Sequence, residues 1–373
     1  MTTREEKITY VFTTGRSDRI NDNSFSKEFF YSYDQFIKNF KFVELIEMKQ
    51  GKTFFSKFLN LIDIILRKIT KCSFYTSTLC TYKNFLKIHK SDVVILTNDR
   101  LAFSILPILI ISKAIMPTKK KNVIVITMGI IKNTSTYFII NKLNSLFTKL
   151  LVLFTNNFLF LSKSEHEKFK LYYPKVSDFT HYIPYCTDTD FWKSKNVDKD
   201  IDLLFIGNDG KRDYEFVIEL AKEMQDYKFT FITSKILKEQ IKYPNIKLIN
   251  GDWGQEILSD IEIRDFYHDS FLTLIPLNKS LQPSGQSVAL QSISCGTPVL
   301  ITETDGFWQP ELFKHKKNIL FMKENNISAW KELINECASD KDLYNDLIKN
   351  GKETIIKNYQ LDEFNLKLEK IFF

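Results

Sequence analysis

Short apolar runs of strand length alternate with stretches of helical periodicity along this chain, and the alternation breaks once and then restarts. In the first half, residues 8–13, 42–47, 93–97, 123–127 and 157–161 read as strands. Between them, residues 25–39, 54–69, 101–115 and 137–150 read as helices. Such alternation predicts parallel sheets flanked by helices. The break falls in residues 181–200, HYIPYCTDTDFWKSKNVDKD, a polar stretch with Pro184 that ends in charges. After it, residues 202–206, 228–233, 246–249, 271–276 and 298–302 read as strands. Residues 214–225, 262–269, 288–294 and the charged tail from Ala329 read as helices. A chain of 373 residues can fill two cores of this kind. Open parallel sheets bind ligands beyond the carboxyl ends of their strands, so the residues just after strands are the ones to inspect.

Charge divides the chain in the same place. Residues 1–185 carry 28 Lys and Arg against 14 Asp and Glu, and the remainder carries 24 against 31. The halves are therefore +14 and −7, which sum to the net +7. A basic first half suits an anionic membrane surface or a phosphorylated acceptor, or is simply a solvated lysine-rich surface. No finger, RNP or basic-zipper motif points to nucleic acid. The stretch 53–71 is amphipathic with basic ends and reads as a surface-seating or core-packing helix. Residues 101–117 carry Lys113 and Pro107 and read as a buried helix, not a membrane span. The N-terminus shows no apolar signal core, and the five cysteines are scattered and odd in number. Both features imply a cytoplasmic protein with reduced thiols.

The segment with the most chemistry is Pro283-Ser284-Gly285-Gln286-Ser287, a turn between a strand and a short apolar helix. Free amides at the helix start, a glycine that admits close approach and the Ser287 hydroxyl form an anion site suited to phosphate. An ordinary helix cap is the alternative. Lys211 and Arg212 follow the strand that ends at Gly207 and add positive charge, unless Arg212 pairs with Asp213. In the first half the residues after strands are Gly15-Arg16, Asn98-Asp99-Arg100 and Met128-Gly129. Asp99 suits a base for an acceptor hydroxyl or a sugar ligand, and equally a partner for Arg100 or a helix cap. The triplet Asp188-Thr189-Asp190 lies in the break and not after a nucleotide-binding strand, and no histidines share ligand spacing, so no metal is expected.

Several of these pieces, taken in order, resemble glycosyltransferase family 4 of the GT-B fold. They are Ser284-Gly285, Gly296-Thr297-Pro298-Val299, Gln309-Pro310-Glu311, Asn318-Ile319-Leu320-Phe321 and the loop Gly207 to Arg212. Ile183-Pro184 with Asp188 to Phe191, and Ser162 to Glu165, resemble the segments around the family's domain junction. The detailed resemblance spans roughly 155–325, and only the architecture agrees before that. It implies an α/β chain of two Rossmann-like parallel-sheet domains, a cleft between them and a C-terminal crossover helix. The domains would be 1–185 for the acceptor and 201–354 for the sugar nucleotide, with 186–200 as linker and 355–373 returning to the first domain.

The activity implied is hexosyl transfer, with retention, from a nucleotide diphosphate donor to a hydroxyl of a glycan or lipid-linked acceptor. The setting implied is bacterial surface polysaccharide or lipopolysaccharide synthesis, peripheral at the inner face of the plasma membrane, with neither metal nor nucleic acid. A noncatalytic scaffold subunit and a sugar-nucleotide epimerase share the fold. Lys211, Arg212, Ser284, Gly285, Gln286 and Ser287 would hold the diphosphate. Gln282, Gln291 and Glu311 would meet the donor sugar or ribose. Gly15, Arg16 and Arg100 would line the acceptor side. The family's paired glutamates fall at Gln282 and Gln291 here, and an amide cannot act as a nucleophile.

Overall fold

The ten apolar runs and two further segments, residues 180–182 and 320–322, become twelve strands among the described residues, in two six-stranded sheets paired in parallel. The computed structural model describes residues 4–20, 22–51, 53–131, 137–195, 197, 199–251 and 258–372. The strands of the first sheet are β1 (Arg4–Phe12), β2 (Phe40–Glu47), β3 (Val93–Leu96), β4 (Asn122–Thr127), β5 (Asn157–Phe160) and β6 (Thr180–Tyr182). Their order is β2-β1-β3-β4-β5-β6. The second sheet has β7 (Ile201–Ile206), β8 (Phe229–Ile232), β9 (Ile246–Ile249), β10 (Ser270–Ile275), β11 (Val299–Thr302) and β12 (Leu320–Met322), in the order β12-β11-β10-β7-β8-β9. That is the doubly wound order 3-2-1-4-5-6 when counted within the second sheet. The order reverses between β1 and β3 in the first sheet and between β7 and β10 in the second. Ligands of such sheets bind at those reversals.

Two units result. One holds Met1–Asn21, Phe30–Ile183 and Asn365–Phe373, and the other holds Asp22–Phe29 and Pro184–Phe364. The segment Asp22–Phe29 therefore leaves the first unit in sequence and is built into the second. The final helix, Leu361–Phe372, starts in the second unit and ends in the first.

Central strands such as Val93–Leu96 are buried on both faces, which is why their apolar runs are continuous. In the second core, Phe205 on β7 is fully buried and meets Phe231 and Tyr214 edge-on at 5.6 and 5.8 Å. Helix Asp99–Ile115 is capped by Asn98, whose Oδ1 accepts from the Leu101 amide at 3.0 Å, and it is largely buried despite Pro107. Among the described residues, no helix is long and apolar enough to cross a membrane.

Two expectations change, and the orientation of helix 54–70, left open by the sequence, is decided. The helix expected over 25–39 is a 3-10 turn at Glu28–Phe30 and a short helix at Tyr33–Asn39. Tyr31 and Ser32 separate them with φ of 49° and 67°, a left-handed break that no helix passes through. β1 begins four residues early because Arg4–Lys7 is exposed and carries no apolar signal. Helix Phe54–Thr70 is inverted: its buried residues are Ser56, Asp63 and Thr70, while Phe54, Phe58, Leu61 and Ile65 are exposed. Asp63 faces inward because it accepts from the Thr76 and Ser77 amides at 3.0 and 2.9 Å. A Phe205→Ala variant should lose about 3–5 kcal/mol of stability, read as a lower urea midpoint of the second unit's transition.

Candidate functional site

The reversal between β7 and β10 brings two loops together. The loop after β7 pairs with the loop after β10 through an antiparallel bridge between Arg212 and Leu277. The Asp213 amide donates to the Pro276 carbonyl at 3.0 Å, and the Asn278 amide donates to the Lys211 carbonyl at 2.8 Å. Farther out, Asn325 donates to the Asp213 carboxylate at 2.8 Å and to the Leu277 carbonyl at 3.2 Å. Asn208 takes the Thr233 hydroxyl and Ser234 amide at 2.9 and 2.7 Å and donates to the Gly251 carbonyl. The loops after β7, β8, β9, β10 and β12 are thus tied by side-chain amides.

Arg212 is the centre of this arrangement. It is 3% exposed, lying against Gly207 and Gly285. A Cβ on Gly207 would come within 2.5 Å of Arg212 Nε, and one on Gly285 would come within 3.4 Å of Nη1. The guanidinium pairs with Asp209, Nη1 to Oδ2 at 2.9 Å, and not with Asp213. Asp213 is occupied otherwise, capping helix Tyr214–Glu223 through the Phe216 amide at 3.1 Å. The Nη1 hydrogens are not aligned on Asp209, and Nη1 has no hydrogen-bond partner among the described residues.

Two more buried donors share that condition. Ser284 Oγ and Gln286 Nε2 are buried and have no hydrogen-bond partner among the described residues. They flank Gly285, which has φ of 82° and precedes helix Gln286–Ser294 without any side-chain cap. A Cβ at position 285 would meet Ile275 Cγ2 at 2.7 Å. Leaving a buried polar group unpaired costs about 1–3 kcal/mol. Ser284 Oγ and Gln286 Nε2 at an uncapped helix start, beside the ion-paired Arg212, present donors suited to an anion. Ser287 is half-buried on the first turn, and Lys211 is half-buried beside Arg212.

The remaining expected residues separate. Gln282 is half-buried in the loop after β10, where its carbonyl abuts Gly306. Glu311 is exposed. Gln291 is 3% exposed with both ends of its amide engaged, so it meets protein and not solvent. Its Nε2 donates to Glu28 Oε1 at 2.9 Å, and its Oε1 accepts from Tyr267 at 3.3 Å. Asp188 is likewise an interior residue, taking the Lys27 and Phe191 amides at 3.1 Å each. Among the described residues no cluster of three or more His, Cys, Asp or Glu is arranged to hold a metal.

In the first unit, Gly15 has φ of 86° and open space where a Cβ would stand. The loop after β1 is held by Glu47, which takes the amides of Arg16 and Ser17 and the Ser17 hydroxyl, the last at 2.6 Å. Asp99 is buried in the first turn of its helix. Arg100 lies over the Tyr75 ring at 5.1 Å. The loop after β4 is held by buried Glu165, which accepts from the Gly129 and Ile131 amides at 3.0 and 3.1 Å. Glu47, Glu165, Asp209 and Glu28 were not singled out from the sequence. Glu47 stands at the end of a strand, and Glu165 and Asp209 lie in segments that resemble the family, but none of them was assigned a role.

Comparison with known proteins bears on the family and the fold. Residues 187–354 match the family described as glycosyl transferases group 1. No curated protein sequence matches the chain significantly. Among solved structures, HepE of Anabaena in complex with UDP and glucose superposes with a TM-score of 0.67 at 12% identity, covering 98% of this chain and 99% of that one. Sucrose-phosphate synthase of Thermosynechococcus elongatus gives 0.68 at 11%, covering 98% of each. A glycosyltransferase of Rickettsia africae gives 0.63 at 14%, covering 99% of this chain and 98% of that one.

A Gly285→Ala variant should lose more than the roughly 1–2 kcal/mol of left-handed strain, because its Cβ would also meet Ile275 Cγ2 at 2.7 Å, and its melting temperature should drop accordingly. The chain has the GT-B architecture, and its residues 187–354 match the glycosyl transferases group 1 family.

Proposed function

We propose that this protein is a glycosyltransferase that moves a hexosyl group from a nucleotide diphosphate donor to a hydroxyl of a glycan or lipid-linked acceptor, in the synthesis of a bacterial surface polysaccharide. One observation carries the reading: Arg212 Nη1, Ser284 Oγ and Gln286 Nε2 are buried donors without hydrogen-bond partners among the described residues, grouped at one helix start. HepE, whose fold this chain shares, was solved in complex with UDP and glucose, which supports a nucleotide diphosphate as the donor.

The chemistry follows from the charges. The bond between sugar C1 and the diphosphate oxygen breaks, and its electron pair leaves on the diphosphate. The acceptor oxygen forms the new bond to C1 and gives its proton to a base. Negative charge grows on the leaving group, so donors fixed in advance at that point lower the barrier. Arg212, Lys211, Ser284, Gln286, Ser287 and the amides after Gly285 fill that role in this proposal. Gln282 and Glu311 lie on the sugar side. Gln282 has no carboxylate, so a glycosyl ester cannot form there. Asp99, just after β3 at the other reversal, is the proposed base, with Gly15, Arg16 and Arg100 on the acceptor side.

The proposed setting is the cytoplasmic face of an anionic membrane. The inverted helix Phe54–Thr70 supports this: Phe54 is 88% exposed and Leu61 60%, with Lys57, Lys68 and Lys71 among them. Apolar side chains facing water beside lysines suit a lipid interface. A Phe54→Glu, Phe58→Glu variant should no longer cosediment with vesicles containing phosphatidylglycerol. Retained binding would remove this helix from the membrane reading.

Thermal shift against UDP, GDP and ADP should single out one nucleotide, because binding to the native state raises stability by mass action. Arg212→Ala should abolish that shift and lower kcat about 100- to 1000-fold, as for loss of a charge-stabilising donor. Wild-type protein that binds none of the three would contradict the enzyme assignment.

A further inference from the structure

The carboxylate of Glu28 is fully buried in the second unit, although it belongs to a segment whose sequence neighbours lie in the first. Its oxygens accept three hydrogen bonds. Gln291 Nε2 and Trp192 Nε1 donate to Oε1 at 2.9 and 2.8 Å, and the Asp188 amide donates to Oε2 at 3.3 Å. Gln291 lies on helix Gln286–Ser294, the helix whose start forms the anion site. A second tether reaches the same helix from Trp192, whose carbonyl accepts from Ser294 Oγ at 2.8 Å. Glu28 therefore fixes one side chain of the helix directly and steadies the residue that fixes its end.

The rest of the segment is anchored with the same density. The Ser26 amide and hydroxyl donate to Asp260 Oδ2 at 2.9 and 3.0 Å, and the Lys27 amide donates to Asp188. Phe29 lies against Tyr185 at 5.9 Å between centroids. Buried carboxylates cost a great deal unless hydrogen-bonded, and here two of them, Glu28 and Asp260, are satisfied by this one segment and its contacts. A covering loop would not require that expense.

We propose that Glu28 is a positioning residue of the donor site: through Gln291 and Trp192 it sets the helix whose first turn binds the donor diphosphate. This inference rests on the reading of the Ser284–Ser287 turn as that diphosphate site. Its ionised form accepts from all three donors, so ionisation favours the aligned helix. Burial pushes the Glu28 carboxyl up to about 7. The sign for folding is a loss: the contribution of the neutral carboxyl is fully present below its ordinary value of 4.5 and disappears as pH rises through about 7. The sign for binding is opposite, because the anion that costs folding energy is the form that holds Gln291.

Three elements face Glu28. The chain after Pro184 brings Cys186 and Asp188, helix Asp260–Asp269 brings Asp260 and Tyr267, and the donor helix ends at Cys295. Asp260 adds like charge. Arg264 and His268 on the same helix turn to the carbonyls of Phe191 and Lys193 instead.

The test is UDP affinity by calorimetry between pH 6 and pH 8 for wild type, Glu28→Gln and the double variant Glu28→Gln, Gln291→Glu. The UDP phosphate titrates identically in every arm, so the differences between proteins carry the result. Wild type should bind about tenfold tighter at pH 8 than the phosphate alone explains, the size of one charge-assisted hydrogen bond. Glu28→Gln should bind about tenfold weaker at pH 8 and lose that extra pH dependence. The double variant returns a carboxylate–amide pair with the partners exchanged and should recover most of the affinity. A residue that only stabilised the fold would lower the melting temperature and leave the UDP affinity of the folded protein unchanged.

Wild type that binds UDP while Glu28→Gln binds equally well with the same profile overturns this proposal alone. Wild type that does not bind UDP overturns it together with the reading of the turn. If Glu28→Gln does not fold, the double variant and the wild-type profile decide: an unrecovered affinity or a flat profile overturns the proposal.

Discussion

A buried guanidinium between two glycines organises the second half of this molecule. Arg212 can lie where it does only because Gly207 and Gly285 have no side chains, and its charge is tolerated because Asp209 is 2.9 Å away. The sheet dictates the place. Strand order reverses between β7 and β10, so the loops that follow them diverge from neighbouring strands and meet each other. One loop brings the arginine, and the other brings the turn and the helix start. The polar side chains of Asn208 and Asn325 then lock the two loops to the rest of the sheet's carboxyl edge.

This arrangement stores an imbalance. Native interiors pair nearly all their buried polar groups, and two buried donors of one turn, Ser284 Oγ and Gln286 Nε2, without hydrogen-bond partners among the described residues are unusual. A rigid frame keeps them apart from alternative partners: Gly285 in a left-handed conformation, Ile275 beneath it and a helix anchored through Gln291 and Ser294. Such a frame supplies electrostatic stabilisation without reorganisation when charge develops.

Much of the frame was legible in the sequence, for a definite reason. Strands buried on both faces write themselves as apolar runs, and a glycine after a strand marks a turn. Those signals located β3, β4, β7, β10 and β11 within a residue or two and pointed to the 284–287 turn. Interactions across sequence had no such signal. Glu28 meets Gln291 across 263 positions, and a chain segment that joins the other unit cannot be told from a surface helix by periodicity. Gln291 shows the same limit. Its position in the motif suggested a ligand contact, but burial and two hydrogen bonds give it an interior role. The alternative of an Arg212–Asp213 pair does not occur, because that carboxylate caps a helix and Arg212 pairs with Asp209. The inverted helix Phe54–Thr70 illustrates the opposite case, in which the amphipathic pattern was visible and only its orientation needed the structure.

Amide hydrogen exchange, with and without UDP and with uridine as control, tests the central claim most directly. The account predicts that UDP slows exchange at Gln286–Val288 and at Lys211–Arg212, and that uridine, which lacks the diphosphate, leaves those amides unchanged. Equal protection by uridine, or UDP-dependent protection confined to other parts of the chain, would contradict the assignment of the turn and Arg212 as the diphosphate site.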